Sequence, residues 1–167
     1  EKTYAFAEGA IKMKMIINGQ KVDASNGRTM NVYNPAKGTI IDTVPVATKD
    51  DVERAVDCAV AGQKVWGAMP LYKRGPYIEK FVELVKAHKE ELARMESAEV
   101  GKTIPEAANE INNVIAFFTG FLEKAKHDYE ESYPCGMEPG TDERMQIVIR
   151  EPIGVVACII PYNFPVS

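Results

Sequence analysis

The residue best placed to do chemistry is Asn163, in the run Pro161-Tyr162-Asn163-Phe164-Pro165. Its carboxamide is neutral and donates through its NH2. A fixed donor aimed at developing negative charge stabilises a tetrahedral intermediate, and losing one such donor costs about 10²–10³ in rate. The flanking prolines restrict the backbone on both sides, which would hold that amide in one place. Asparagine is also an ordinary turn residue that hydrogen-bonds its own backbone, and spacing alone leaves both readings open.

The other reactive residue types form no constellation. The cysteines, Cys58, Cys135 and Cys158, are far apart and odd in number, which argues against a disulfide framework. The histidines, His88 and His127, share no C-x-x-C or H-x-x-x-H spacing with a partner, so a metal site has no support. Cys58, in an expected helix, and Cys158, in an expected buried strand, read as small core residues. Cys135 falls in a Pro-Cys-Gly loop with no neighbour that would lower its pKa. His88 lies beside an apolar stripe and is expected to be partly buried and hydrogen-bonded.

Something must hold Asn163 in position. The preceding residues 155–160 are apolar without alternation, the pattern of a strand buried on both faces in a parallel sheet. Pro161 ends it, because proline cannot donate to a ladder. Ligands in open parallel sheets bind just beyond the carboxyl ends of strands.

Earlier in the chain, Asn18-Gly19 signals a two-residue hairpin, and the turn 34–38 joins runs at 29–33 and 39–46. Thr48 reads as the N-cap of a helix that stops near Gly67 and carries an apolar face of Val52, Val56, Ala59 and Val60. Trp66 is expected to anchor the core. A single long helix is predicted over 71–100, ended by Gly101. Thr103-Ile104-Pro105-Glu106 reads as a capping box that opens a helix to about 126. Residues 132–143 read as a loop, and 144–150 as a strand.

The net charge is −4, with 20 basic residues scattered among 24 acidic ones. That leaves no electrostatic footprint for nucleic acid or an anionic membrane. No apolar run reaches the length of a membrane span, and no charged segment followed by an apolar one marks a secretory signal. A cytoplasmic setting is therefore expected.

The stretch Glu151-Pro152-Ile153-Gly154-Val155-Val156-Ala157-Cys158-Ile159-Ile160-Pro161-Tyr162-Asn163-Phe164-Pro165 resembles the segment that leads into the active site of the NAD(P)-dependent aldehyde dehydrogenases. Glu99-Val100-Gly101-Lys102, followed by Glu106-Ala107 and Glu110-Ile111, resembles the same family and reads as helix-joining architecture. The resemblance runs from near Met13 to Ser167 and covers the opening part of a family member. Tyr162 departs mildly from the family's usual Trp.

The resemblance implies several roles. Asn163 would donate to the oxyanion formed when a cysteine attacks an aldehyde. Backbone around Ile159, Ile160, Pro161 and Tyr162 would lie against an NAD or NADP cofactor, and Phe164 would border the aldehyde. The implied reaction takes an aldehyde to a carboxylic acid through a cysteine thiohemiacetal and thioester, with hydride transfer to nicotinamide. None of the three cysteines has the surroundings of the family's nucleophile, so these 167 residues alone are expected to be inactive.

The implied fold class is α/β, as the N-terminal part of the aldehyde dehydrogenase fold. It would comprise antiparallel N-terminal strands, three helices, an oligomerisation-arm strand and the first strand of a Rossmann-like parallel sheet. The expected divisions are 1–12 as an extension, 13–134 as strands and helices of the cofactor-binding domain, 135–150 as the arm, and 151–167 as the first buried strand and active-site turn. A small aldehyde substrate and a homodimer or homotetramer go with this reading. Succinate semialdehyde, lactaldehyde and glyceraldehyde 3-phosphate type substrates all remain open, as does NAD against NADP. The alternatives are a CoA-acylating member of the same superfamily and a non-enzymatic assembly fragment.

Overall fold

The computed structural model describes residues 13–127, 131–135 and 144–167. The chain begins with two separate antiparallel hairpins. β1 (Met15–Ile17) pairs with β2 (Gln20–Val22), and β3 (Thr29–Tyr33) with β4 (Ile40–Pro45). Asn18 and Gly19 make the first turn, with φ of 51° and 72°. Positive φ at both central residues is what a type I′ turn requires, and asparagine followed by glycine meets it at least steric cost.

Helix α1 (Lys49–Ala68) opens on the expected Thr48 cap. Thr48 Oγ1 accepts from the Asp51 amide at 3.2 Å, and the Asp51 carboxylate accepts from the Thr48 amide at 3.0 Å. Asp51 also accepts from the Ser25 amide at 3.0 Å, tying the preceding loop to the helix start. Those amides, Thr48 foremost, hold its carboxyl below the ordinary 3.8, at about 2. A carboxylate whose pKa is depressed by folding stabilises the fold above its unfolded pKa and loses that contribution as pH falls through the folded one. Denaturant midpoints are therefore expected to drop between pH 3.8 and about 2, more steeply in the native chain than in Asp51→Asn. Equal slopes in the two proteins would remove Asp51 from the acid response.

The predicted helix over 71–100 is two helices, α2 (Leu71–Ala87) and α3 (Lys89–Val100), giving four helices where three were expected. They meet at His88, whose φ of −105° and ψ of 14° leave the helical region. The apolar spacing continues through this single-residue change of direction, so the stripe carried no sign of it. His88 is exposed rather than partly buried, and its Nδ1 lies 2.9 Å from Glu91 Oε2 in the first turn of α3. Gly101 ends α3 at φ 83°, and a Cβ there would lie 2.8 Å from Pro35 Cγ in the β3–β4 turn. Both the left-handed backbone and the close approach call for glycine.

Helix α4 (Ile104–Lys126) starts with the expected capping box between Thr103 and Glu106. Its Ala107, Ile111 and Val114 pack with Val85 of α2 and Ala93 of α3 to form the core. The Phe81 and Phe118 rings, 4.7 Å between centroids, extend the α2–α4 contact. No helix among the described residues is long and apolar enough to cross a membrane.

Several expectations of burial fail. Val52, Val56 and Val60 of α1 are exposed, and Trp66 is 38% exposed, meeting Tyr77 edge to face. Residues 155–160 form no strand, and Cys158 is exposed rather than buried. The cause is common to all of them: a sequence pattern declares which face wants cover, and burial needs a neighbour to provide it. Among the described residues, no strand lies beside 155–160 to complete a ladder.

A third hairpin pairs β5 (Glu131–Cys135) with β6 (Arg144–Val148). Cys135 thus closes a strand rather than lying in a loop, and the boundary expected between 134 and 135 falls inside β5. The remainder of the expected loop, 136–143, and the proposed extension, 1–12, lie outside the described residues.

Candidate functional site

Two uses of asparagine stand side by side in this structure. Asn34 Oδ1 accepts from the amides of Ala36 and Lys37 at 3.0 and 3.1 Å, and Asn26 Oδ1 from Arg28 at 2.9 Å. These are side chains spent on their own turns. Asn163, at the turn after Pro161, is exposed and makes no such bond among the described residues. Neither of its amide hydrogens is taken up among the described residues.

The residues expected to accompany it lie along one uncovered segment. Ile159 is 95% exposed and Tyr162 90%, with Ile160 and Pro161 also open. A strip of apolar side chains facing solvent fits contact with the flat, less polar parts of a dinucleotide. Phe164, the candidate aldehyde neighbour, is 51% exposed, and the Lys102 ammonium sits 4.0 Å from its ring centroid.

Lys102 leads to a cluster that the sequence reading did not foresee. Its Nζ donates to Glu96 Oε1 at 2.7 Å and to Glu110 Oε2, and so joins α3 to α4. Glu96 and Glu110 are buried, with side chains 0% and 1% exposed. The other Glu110 oxygen, Oε1, accepts from the Val166 amide at 3.0 Å and the Ser167 amide at 2.9 Å. Burial opposes ionisation of Glu110, yet hydrogen bonds from Glu96, Lys102 and those amides outweigh it and hold the carboxyl at about 2. Burial and the neighbouring Glu110 carboxylate push Glu96 the other way, above the usual carboxylate range. Glu96 Oε2 has no donor.

The helix-joining reading of Lys102 and Glu110 holds, and the cluster extends it to the Asn163 turn. A usable signal was present in the sequence. Glu110 lies between Ala107 and Ile111 at core-facing helical spacing, and Glu96 follows Ala93 in the same way. An acid on a core stripe requires a buried partner. A separate groove of about 270 Å³, lined by Lys89, Glu90, Ala93, Arg94, Ile104 and Ala108, includes none of the turn residues.

Comparison with known proteins supplies an independent line. The aldehyde dehydrogenase family matches over residues 21–167. The chain is 38% identical over 156 residues to glutarate-semialdehyde dehydrogenase of Pseudomonas putida, covering 93% of this chain and 32% of that protein. It is 35% identical over 156 residues to succinate-semialdehyde dehydrogenase [NADP(+)] of Escherichia coli, with 93% and 32% covered. Among solved structures, NADP-dependent glyceraldehyde-3-phosphate dehydrogenase from Bacillus halodurans, complexed with NADP, superimposes with a TM-score of 0.89 at 25% identity, covering 93% of this chain and 33% of that one. An NADP-dependent enzyme of Escherichia coli gives a TM-score of 0.85 at 34% identity, with 92% and 31% covered. The chain therefore spans roughly a third, 32%, of the length of the curated relatives it matches.

Proposed function

Since the chain belongs to the aldehyde dehydrogenase family, we propose that it supplies the oxyanion donor and part of the cofactor wall of an enzyme that oxidises an aldehyde to a carboxylic acid with NAD or NADP. The uncommitted carboxamide of Asn163 carries this reading. Its two asparagine counterparts in ordinary turns spend their side chains on the backbone. Asn163 keeps its donors for an external oxygen, where a donor contributes most once negative charge has developed.

Ile159, Ile160, Pro161 and Tyr162 take the cofactor side in this reading, supported by their open apolar surface. The cofactor, when bound, accepts the hydride. The part of these residues is to orient it and exclude water. Phe164 borders the aldehyde, with Lys102 behind its ring. Because two relatives are named for glutarate and succinate semialdehyde, those are the first substrates to try. β6, within the expected arm 135–150, pairs with β5 alone among the described residues, which leaves an edge for a further strand. This supports its assignment to subunit pairing in a homodimer or homotetramer.

The test compares the product of the full reading frame with the isolated 167 residues, each assayed for semialdehyde-dependent NAD(P)H formation. Turnover is expected from the first alone. Turnover by mass-verified 167-residue protein would overturn the expected inactivity. No turnover by the full product across semialdehydes and simple aldehydes would favour the assembly-fragment reading instead.

A further inference from the structure

We propose that Glu110 is a positioning residue for the reaction: it clamps the chain at Val166 and Ser167, just past the Asn163 turn, and, through Lys102, backs the Phe164 ring. This rests on the reading of Asn163 as oxyanion donor. The placement is specific. One carboxylate, buried on the core-facing side of α4, accepts from the Lys102 ammonium through one oxygen and from the amides of Val166 and Ser167 through the other. The Val166 side chain packs against the core beside it. Phe164, next to Asn163, meets the same Lys102.

Residues 155–160, on the other side of the turn, have no ladder among the described residues. Among the described residues, the hydrogen bonds that tie the turn to the helices are these downstream ones. Only an ionised carboxylate suits this post, because each of its oxygens accepts. A carboxamide of the same shape has one accepting oxygen and would turn its NH2 either toward the ammonium or toward the two amides. A misplacement of about 1 Å in catalytic geometry costs up to about 10²-fold in rate.

The first arm of the test is amide exchange in the native full-length enzyme. Val166 and Ser167 are expected to be protected relative to Asn163 and Tyr162. Exchange at the rate of an unstructured chain would overturn the clamp, whatever any variant does. The second arm is Glu110→Gln in that enzyme, with near-native helical content checked by circular dichroism. We expect kcat to fall about 10–10²-fold with the KM for NAD(P) unchanged.

In an Asn163→Ala background the same change should cost little more, because both act through one group. Retained kcat in Glu110→Gln, or an equal further loss in the Asn163→Ala background, would overturn the positioning role. If Asn163→Ala itself leaves kcat intact while Val166 and Ser167 stay protected, the oxyanion reading falls and the clamp stands.

Discussion

Asn163→Ala in the full-length enzyme is expected to lower kcat by about 10²–10³-fold, about 2.7–4 kcal/mol of transition-state stabilisation. The KM for aldehyde should change little. In the proposed role the donor meets an oxygen that becomes an anion during attack, so its contribution would grow as the reaction proceeds and be small in the ground state. Asn163→Asp keeps the size but replaces the donor with an acceptor, and should be at least as impaired. Stability offers the control. The carboxamide makes no hydrogen bond among the described residues, so the melting behaviour of Asn163→Ala should stay within about 0.5 kcal/mol of native. A turn residue would show the reverse, with stability lost and kcat kept. Steady-state kinetics on the purified variants decides between them, and a kcat loss below about tenfold would leave Asn163 outside the oxyanion site.

What the sequence disclosed depended on how far each interaction reaches. The caps at Thr48 and Thr103 close within three residues, as carboxylate and hydroxyl exchange hydrogen bonds with nearby amides. The Asn18-Gly19 turn and the left-handed Gly101 are settled by the backbone preferences of one or two residues. All were legible for that reason. The break at His88 was not, because apolar periodicity tolerates one non-helical residue. Residues 155–160 were read as buried because their pattern asks for cover on both faces, while cover is a property of neighbours. The site divides in the same way. Asn163 stands out as a candidate by its setting between prolines and aromatics, a setting that leaves the plain turn reading open as well. The clamp joins Glu110 to Ser167 across 57 residues, and no local pattern spans that distance. The visible trace was the acid on the core stripe, which read as helix-joining architecture and went no further.

That acid makes Lys102→Met the most damaging single change expected for the fold. Removing the ammonium leaves Glu96 and Glu110 facing each other in a site where their side chains are 0% and 1% exposed. Breaking a buried ion pair from one side costs about 3–5 kcal/mol, because the remaining charge is neither paired nor hydrated. Against a typical total of about 5–15 kcal/mol, such a loss is a large fraction of all the stability a domain has. Methionine retains the length and can still lie against Phe164, so the loss reports charge rather than a cavity. The orphaned carboxyls should then hold protons more tightly than in the native protein. The variant should therefore regain part of its deficit as pH falls below neutral, opposite in sign to the acid loss expected from Asp51. Replacing all three members together, with Glu96→Gln and Glu110→Gln added to Lys102→Met, should cost less than Lys102→Met alone, since no unpaired charge remains. Denaturant melts of the single and triple variants test this directly. A single-variant loss below about 1 kcal/mol, the scale of an exposed ion pair, would mean that water reaches the cluster and that Lys102 is not what joins α3, α4 and the Asn163 turn.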